Sequence, residues 1–99
     1  MTNITVNGKT FSVHKSKYAN VNNLGYYAGR TLYDCYERPS ATKVSIYNDW
    51  LKWASDNNVY HFGVSSYNAH TFTLQGLLEY EGKTFLLSIS ASANKAFII

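Results

Sequence analysis

The sequence contains a single cysteine and a single proline among 99 residues. Cys35 has no second cysteine to pair with, so the chain is not a disulfide-stapled secreted scaffold. The N-terminus has no basic stretch followed by an apolar one, and no run approaches the roughly 18 apolar residues of a membrane span. We therefore expect a cytoplasmic protein that does not enter a membrane.

Charge is also scarce. Charged residues make up 15% of the chain and hydrophobic residues 45%. This balance is typical of a packed domain and argues against intrinsic disorder and against a coiled coil. A chain of this length buries one modest core, so residues 1–99 are expected to form one domain.

Motifs for catalysis or cofactor binding are missing. Two Gly-Lys-Thr sequences, at residues 8–10 and 82–84, lack the upstream glycine of a phosphate-binding loop. No two of the possible metal ligands have a ligand-pair spacing; these are His14, His61, His70 and Cys35. Glu79 and Glu81 share a strand face, but beside a turn such carboxylates are more typical of a solvated edge. We expect no enzyme, no metal and no cofactor.

Local patterns predict a sheet with two hairpins. Residues 4–13 alternate around Asn7-Gly8, the dipeptide favoured in a two-residue hairpin turn. A second hairpin is expected from strands 71–80 and 84–90, joined at Glu81-Gly82. Residues 59–64 are a further strand, and the apolar C-terminus is expected to form the last one, since it would otherwise be exposed to water.

The middle of the chain is expected to contain a loop, two strands and one helix. The asparagine-rich residues 17–25 predict the loop, and the alternation of residues 24–36 and 42–47 predicts the strands, the first of them bent at Gly29. Asn48 is a plausible N-cap of a short helix over 48–55, whose Trp50 and Trp53 need tertiary packing. The predicted fold is α+β: a mostly antiparallel sheet of five to seven strands with this helix on one face.

The chain is rich in tyrosine, with nine in total, and residues 1–48 carry a net charge of +4 while the rest carries −1. Tyrosine and arginine are favoured in protein interfaces because they supply large contacts at low entropic cost. The predicted partner-binding residues are Tyr18, Tyr26, Tyr27, Arg30, Tyr33, Tyr36 and Arg38. Tyrosines are also common strand residues, and the alternative interpretation of this cluster is a structural role in the sheet.

Nucleic acid is the alternative partner. In that interpretation tyrosines stack on bases and four lysines contact phosphates: Lys9, Lys15, Lys17 and Lys43. A third interpretation is a homodimer paired through the C-terminal strand.

Three segments of the N-terminal half resemble an uncharacterised family of small proteins from bacterial, phage and plasmid genomes. They are Asn7-Gly8-Lys9, then Lys17-Tyr18-Ala19-Asn20 through Asn23-Leu24, then residues 37–46. The resemblance spans residues 4–58 and carries no activity with it. It implies a mobile-element origin, and small proteins of that kind often block a host protein by occupying its surface. We therefore expect an inhibitor of a bacterial host defence protein, of the anti-CRISPR or anti-restriction type.

Overall fold

The computed structural model describes residues 2–15, 28–68, 71–90 and 93–99. Within them six strands form one sheet and two helices lie in the connection between the second and third strands. The elements in chain order are β1 (Asn3–Val6), β2 (Lys9–Lys15), α1 (Leu32–Cys35), α2 (Ala41–Asp56), β3 (Tyr60–Asn68), β4 (Thr71–Tyr80), β5 (Lys83–Ile89) and β6 (Asn94–Ile98). The expected α+β class and mostly antiparallel sheet are confirmed.

Both predicted hairpins are present. Asn7 and Gly8 have φ angles of 45° and 85°, and Val6 pairs with Lys9 across the turn. Glu81 and Gly82 repeat this geometry between β4 and β5, with φ angles of 50° and 78°. Two successive residues with positive φ give the loop the twist of the flanking strands, which is why Asn-Gly marked the first turn so clearly.

The C-terminal strand lies inside the sheet. The strand order is β1-β2-β6-β5-β4-β3, in which β6 runs parallel to β2 and antiparallel to β5. The expectation of a final strand at the C-terminus is therefore confirmed. A homodimer paired through this strand is ruled out, because both of its backbone edges already bond neighbours within the chain.

The strand predicted over residues 42–47 is wrong. These residues form the first turns of α2, which begins after the N-cap Ser40. The Lys43 N–H donates to Ser40 Oγ at 3.2 Å, and Pro39 ends the preceding segment. Val44, Tyr47 and Trp50 follow helical spacing toward the core, so the 3.6-residue period prevails over the two-residue alternation. The predicted helix over 48–55 was thus too short, and Asn48 lies exposed within α2.

The strand predicted over residues 24–36 is also wrong where the structure describes it. Ala28 forms a single bridge to Gly63, Gly29 has a φ angle of +81°, and α1 follows. The positive φ at Gly29 ends the extended conformation at the residue where the sequence predicts a bend. Residues 24–27, and the loop predicted over 17–25, lie outside the described residues.

The main core lies between α2 and one face of the sheet. Trp50 is 2% exposed, and Trp53 is half-buried and stacks on it with ring centroids 5.7 Å apart. Both tryptophans are thus held by packing, as expected of a predicted helix too short to be stable alone. On the opposite face, a second cluster is formed by Leu77, Leu86 and Phe97.

Candidate partner-binding surface

A capping box forms the short helix α1. The Asp34 N–H donates to Thr31 Oγ1 at 3.2 Å, and the Thr31 N–H donates to Asp34 Oδ2 at 2.7 Å. The Thr31 hydroxyl also donates to Asp34 Oδ2, at 3.1 Å. The two hydrogen bonds that the Asp34 carboxylate accepts, the one from the Thr31 N–H above all, hold the pKa of Asp34 below its ordinary value, and the nearby charge of Arg30 adds a smaller contribution. A single turn of helix has little stability alone, so α1 depends on the reciprocal hydrogen bonds between Thr31 and Asp34 for its stability.

The segment around α1 is attached to strand β3. The Gly29 N–H donates to the Phe62 carbonyl at 3.0 Å, and the Val64 N–H donates to the Arg30 carbonyl at 3.1 Å. Leu32 is fully buried, and the Cys35 thiol donates to the Val64 carbonyl at 3.7 Å. Side chains on the outer side of α1 are therefore presented from a well-anchored support.

The two tyrosines in and beside α1, Tyr33 and Tyr36, differ in solvent exposure. Tyr33 is 61% exposed, whereas Tyr36 is half-buried and packs edge-on against Phe72 with ring centroids 6.3 Å apart. Burial raises the pKa of Tyr36, with a smaller contribution from Cys35. Lys43 Nζ lies 5.4 Å from the centroid of the Tyr36 ring, a cation–π geometry that connects α2 to α1.

Five of the predicted site residues lie between positions 30 and 43, in α1, beside it or in the first turn of α2. We call them the α1 surface: Arg30, Tyr33, Tyr36, Arg38 and Lys43. Arg30, Tyr33 and Arg38 are exposed, and Tyr36 and Lys43 are half-buried. Of the other predicted contacts, Tyr18, Tyr26 and Tyr27 lie outside the described residues.

The predicted phosphate-contacting lysines do not converge where the structure describes them. Lys9 and Lys15 are at the two ends of the seven-residue strand β2, roughly 20 Å apart at strand rise. Lys9 Nζ lies 5.9 Å from the Trp53 ring, near the end of α2, while Lys43 is in the first turn of that helix. Lys17 lies outside the described residues. The three described lysines therefore do not form one basic patch.

A small cleft beside the α1 surface was missed by sequence reasoning. Its volume is about 80 Å³ and its walls are Tyr47, Trp50 and Leu51 of α2 together with Phe62 and Gly63 of β3. The exposed residues 29–31 form its rim. The cleft forms where the bridge between Ala28 and Gly63 joins segments far apart in sequence, so no local signal predicted it.

The two carboxylates weighed as an acid–base pair have different surroundings. Glu79 Oε1 accepts hydrogen bonds from Tyr60 Oη at 2.8 Å and Thr84 Oγ1 at 2.9 Å. The bond to Glu79 raises the pKa of Tyr60, and burial adds to it. Glu81 instead sits in the β4–β5 turn. Glu79 thus cross-links three strands, a structural role.

No part of the chain that the structure describes holds a group of three or more histidine, cysteine, aspartate or glutamate side chains placed to bind a metal. Within the same residues, neither helix has the length and apolar character needed to cross a membrane. No protein-family model matches the chain, and no curated protein or solved structure matches it at a significant level.

Proposed function

We propose that this protein is a noncatalytic protein-binding module that contacts its partner through the α1 surface. The observation that carries the proposal is the exposure of Tyr33, which leaves 61% of a large aromatic residue in water. Tyrosine is among the residues that dominate binding energy in protein interfaces, because it buries a large area while fixing few rotatable bonds.

The support beneath Tyr33 strengthens this interpretation. The capping box fixes α1 internally, and two backbone hydrogen bonds attach the segment to β3. A contact residue on such a support loses little conformational entropy when it binds. The neighbouring Arg30 and Arg38 are exposed, and arginine, like tyrosine, is enriched at protein interfaces.

The resemblance to small mobile-element proteins points to the kind of partner. We propose a host defence protein, inhibited by occupation of its surface in the manner of anti-CRISPR and anti-restriction proteins. The chain has a net charge of +3, which favours an acidic surface on that partner. The adjoining cleft of about 80 Å³ is far smaller than the roughly 300–1,000 Å³ of small-molecule sites, which favours binding over turnover of a substrate.

Site-specific photocrosslinking tests the proposal. A photoreactive phenylalanine analogue replaces Tyr33 in one variant and Ile46 in the control, since Ile46 is an exposed apolar residue on the neighbouring helix α2. Both proteins are expressed in a bacterial host that carries a defence system, and covalent adducts are identified by mass spectrometry. We expect one defence protein crosslinked from position 33 and not from position 46.

Calorimetry with the purified partner then measures the contribution of the side chain. We expect Tyr33→Ala to weaken binding at least tenfold, as a hot-spot loss of about 1.4 kcal/mol or more implies. Ile46→Ala is expected to leave the affinity within twofold. Equal affinities for the two variants, with unchanged circular dichroism, would remove the α1 surface as the contact.

A further inference from the structure

We propose that strand β1 pairs edge to edge, in the antiparallel direction, with β1 of a second copy of this chain. The sheet ends at β1 on one side and at β3 on the other. Residues 28–30 bond the outer side of β3 through backbone hydrogen bonds at Phe62 and Val64, so part of that edge is covered. Among the described residues, no strand pairs with the outer side of β1. An uncovered edge is a template for another strand.

The backbone groups on the outer side of β1 belong to Asn3 and Thr5. The Val13 N–H donates to the Thr2 carbonyl at 2.9 Å, so Thr2 directs its backbone toward β2. Bonded and non-bonded positions alternate along an antiparallel ladder, and Ile4 therefore also bonds β2. Asn3 and Thr5 lie between these positions and direct their N–H and C=O groups away from the sheet.

The edge of β1 has none of the features that keep other strands away. Natural edges are usually protected by charged side chains, proline or a bulge. Residues 2–6 contain no charge and no proline, and β1 pairs with β2 without a register shift. The first charged side chain of the chain is Lys9, whose Nζ lies 5.9 Å from the centroid of the Trp53 ring in the helix layer. A second copy therefore brings no like charges together along β1.

One register uses all the outward backbone groups of β1. When Ile4 lies opposite Ile4 of the second copy, Asn3 faces Thr5 of that copy, and two-fold symmetry repeats the pair. Each facing pair exchanges both of its N–H to carbonyl hydrogen bonds. The side chains of Asn3 and Thr5 are exposed and leave room for this approach. The edge is thus complementary to itself, which favours a second copy over an unlike strand.

This pairing goes beyond the proposed function and leaves the α1 surface free. The α1 segment is attached to β3, at the opposite end of the sheet from β1. Within the described part of the chain β1 is the one fully open edge, so the assembly closes as a symmetric dimer and does not grow into a fibre. The two α1 surfaces then lie at the ends of one continuous sheet, roughly 50 Å apart at the usual spacing of strands. Such a dimer can engage a symmetric partner at two sites.

Sedimentation equilibrium of the full chain tests for the dimer. Pairing through one short strand buries less than the roughly 1,000 Å² of a stable interface, so we expect a dissociation constant on the order of 100 µM. The measured mass is expected to rise with concentration from 11.2 kDa toward twice that value. Amide hydrogen exchange over the same concentrations locates the interface. The amides of Asn3 and Thr5 are expected to become protected as the dimer forms, whereas that of Ile4 is protected throughout.

A proline at position 5 blocks the outward edge selectively. Thr5→Pro removes the outward N–H and leaves the hydrogen bonds of Ile4 to β2 in place, because proline is tolerated on the free side of an edge strand. We expect this variant to remain a monomer. Thr5→Val is the matched control, since it also loses the hydroxyl that hydrogen-bonds Thr10 Oγ1 but keeps the N–H. Its dissociation constant is expected to stay within twofold of the original value.

Two double variants test the register and do not depend on the proline variant folding. Asn3→Lys with Thr5→Lys places two lysines opposite each other at each facing pair of the dimer. Asn3→Glu with Thr5→Lys places opposite charges there. The dissociation constant of the second variant is expected to be at least tenfold lower than that of the first. Circular dichroism checks that both variants are folded.

A mass of one chain up to millimolar concentration would overturn the proposal. So would a dimer that persists in Thr5→Pro, or equal dissociation constants for the two double variants. Protection that appears at β3 and not at Asn3 and Thr5 would place the interface at the other edge and equally overturn it. These measurements use no partner, so their failure leaves the Tyr33 crosslink untouched, and a failed crosslink leaves the dimer in place.

Discussion

The ammonium group of Lys43 lies over the ring of Tyr36, with Nζ 5.4 Å from the ring centroid. This contact joins the first turn of α2 to the residue that ends α1. It therefore couples the main helix, which is fixed by the core, to the short segment that presents Tyr33.

The Lys43–Tyr36 contact is expected to contribute about 0.5–1 kcal/mol to the free energy of unfolding, as cation–π pairs near the surface do. A double-mutant cycle with Lys43→Gln and Tyr36→Leu measures it by urea denaturation. The control cycle pairs Lys52→Gln with Tyr36→Leu, since Lys52 lies on the same helix and bonds Asp56. A coupling energy no larger than that of the control would show that the geometry adds nothing.

Replacing the observed N-cap of α2, Ser40, and the N-cap predicted from the sequence, Asn48, tests where the helix begins. Ser40→Ala is expected to lower the free energy of unfolding by about 1 kcal/mol, because the Lys43 N–H loses its acceptor. Asn48→Ala is expected to be neutral or slightly stabilising, since Asn48 is exposed within the helix and alanine has the higher propensity. The reverse order of effects in thermal or urea unfolding would place the start of the helix at Asn48.

Asp34 is expected to make the free energy of unfolding depend on pH in the acidic range. Its pKa is lowered in the folded state, so the stabilising contribution is present above the ordinary aspartate pKa of about 3.9 and is lost as the pH falls through the lower folded value. Asp34→Asn is therefore expected to be less stable than the original chain at pH 7 and to approach it in strong acid. Parallel curves for the two proteins from pH 7 to pH 2 would contradict the capping box, and Asp56→Asn is the exposed control.

Gly76 in β4 permits the close approach of the helix layer. A Cβ added there would collide with Val59 Cγ1 and lie 3.3 Å from Trp50 Cζ2. Gly76→Ala is expected to cost about 1–3 kcal/mol in urea unfolding, as overpacked cores do. The cost is expected to fall in a Val59→Ala background, where the colliding atom is gone. An equal cost in both backgrounds would indicate a backbone effect.

The separation of the lysines predicts weak binding to nucleic acid. Fluorescence anisotropy with a duplex oligonucleotide between about 50 and 200 mM salt gives the number of neutralised phosphates, at about −0.9 in the logarithmic slope for each. We expect a slope no steeper than about −2, and little change on Lys9→Gln or Lys15→Gln. Micromolar binding with a slope of several units would instead support a nucleic-acid module.

Local chemistry made much of this fold predictable. Asn7-Gly8 and Glu81-Gly82 specify their turns through backbone conformations that few residues adopt, so both hairpins could be predicted from neighbouring residues alone. The exposed Tyr33 and the basic residues around it belong to one continuous segment, so that part of the candidate site could be predicted as well. The other predicted tyrosines lie outside the described residues.

The errors arose where a pattern was compatible with two structures. Residues 42–47 alternate as a strand does, yet Val44 and Tyr47 also fit a helical face, and packing against the sheet decided between the two periods. The signals of helix start were present in the sequence, at Pro39-Ser40 and at Thr31 with Asp34, but each competed with an equally plausible strand.

The sequence by itself determined the class of fold, the two hairpin turns and the surplus of tyrosine and positive charge, because these depend on composition and on residues adjacent in the chain. Only the tertiary structure decided that β6 lies between β2 and β5, that Lys9 lies against Trp53 toward the far end of α2 from Lys43, and that a cleft forms beside Arg30. Each of these features joins residues distant along the chain. Their pairing is set by the total burial of the core, which no short stretch of sequence encodes.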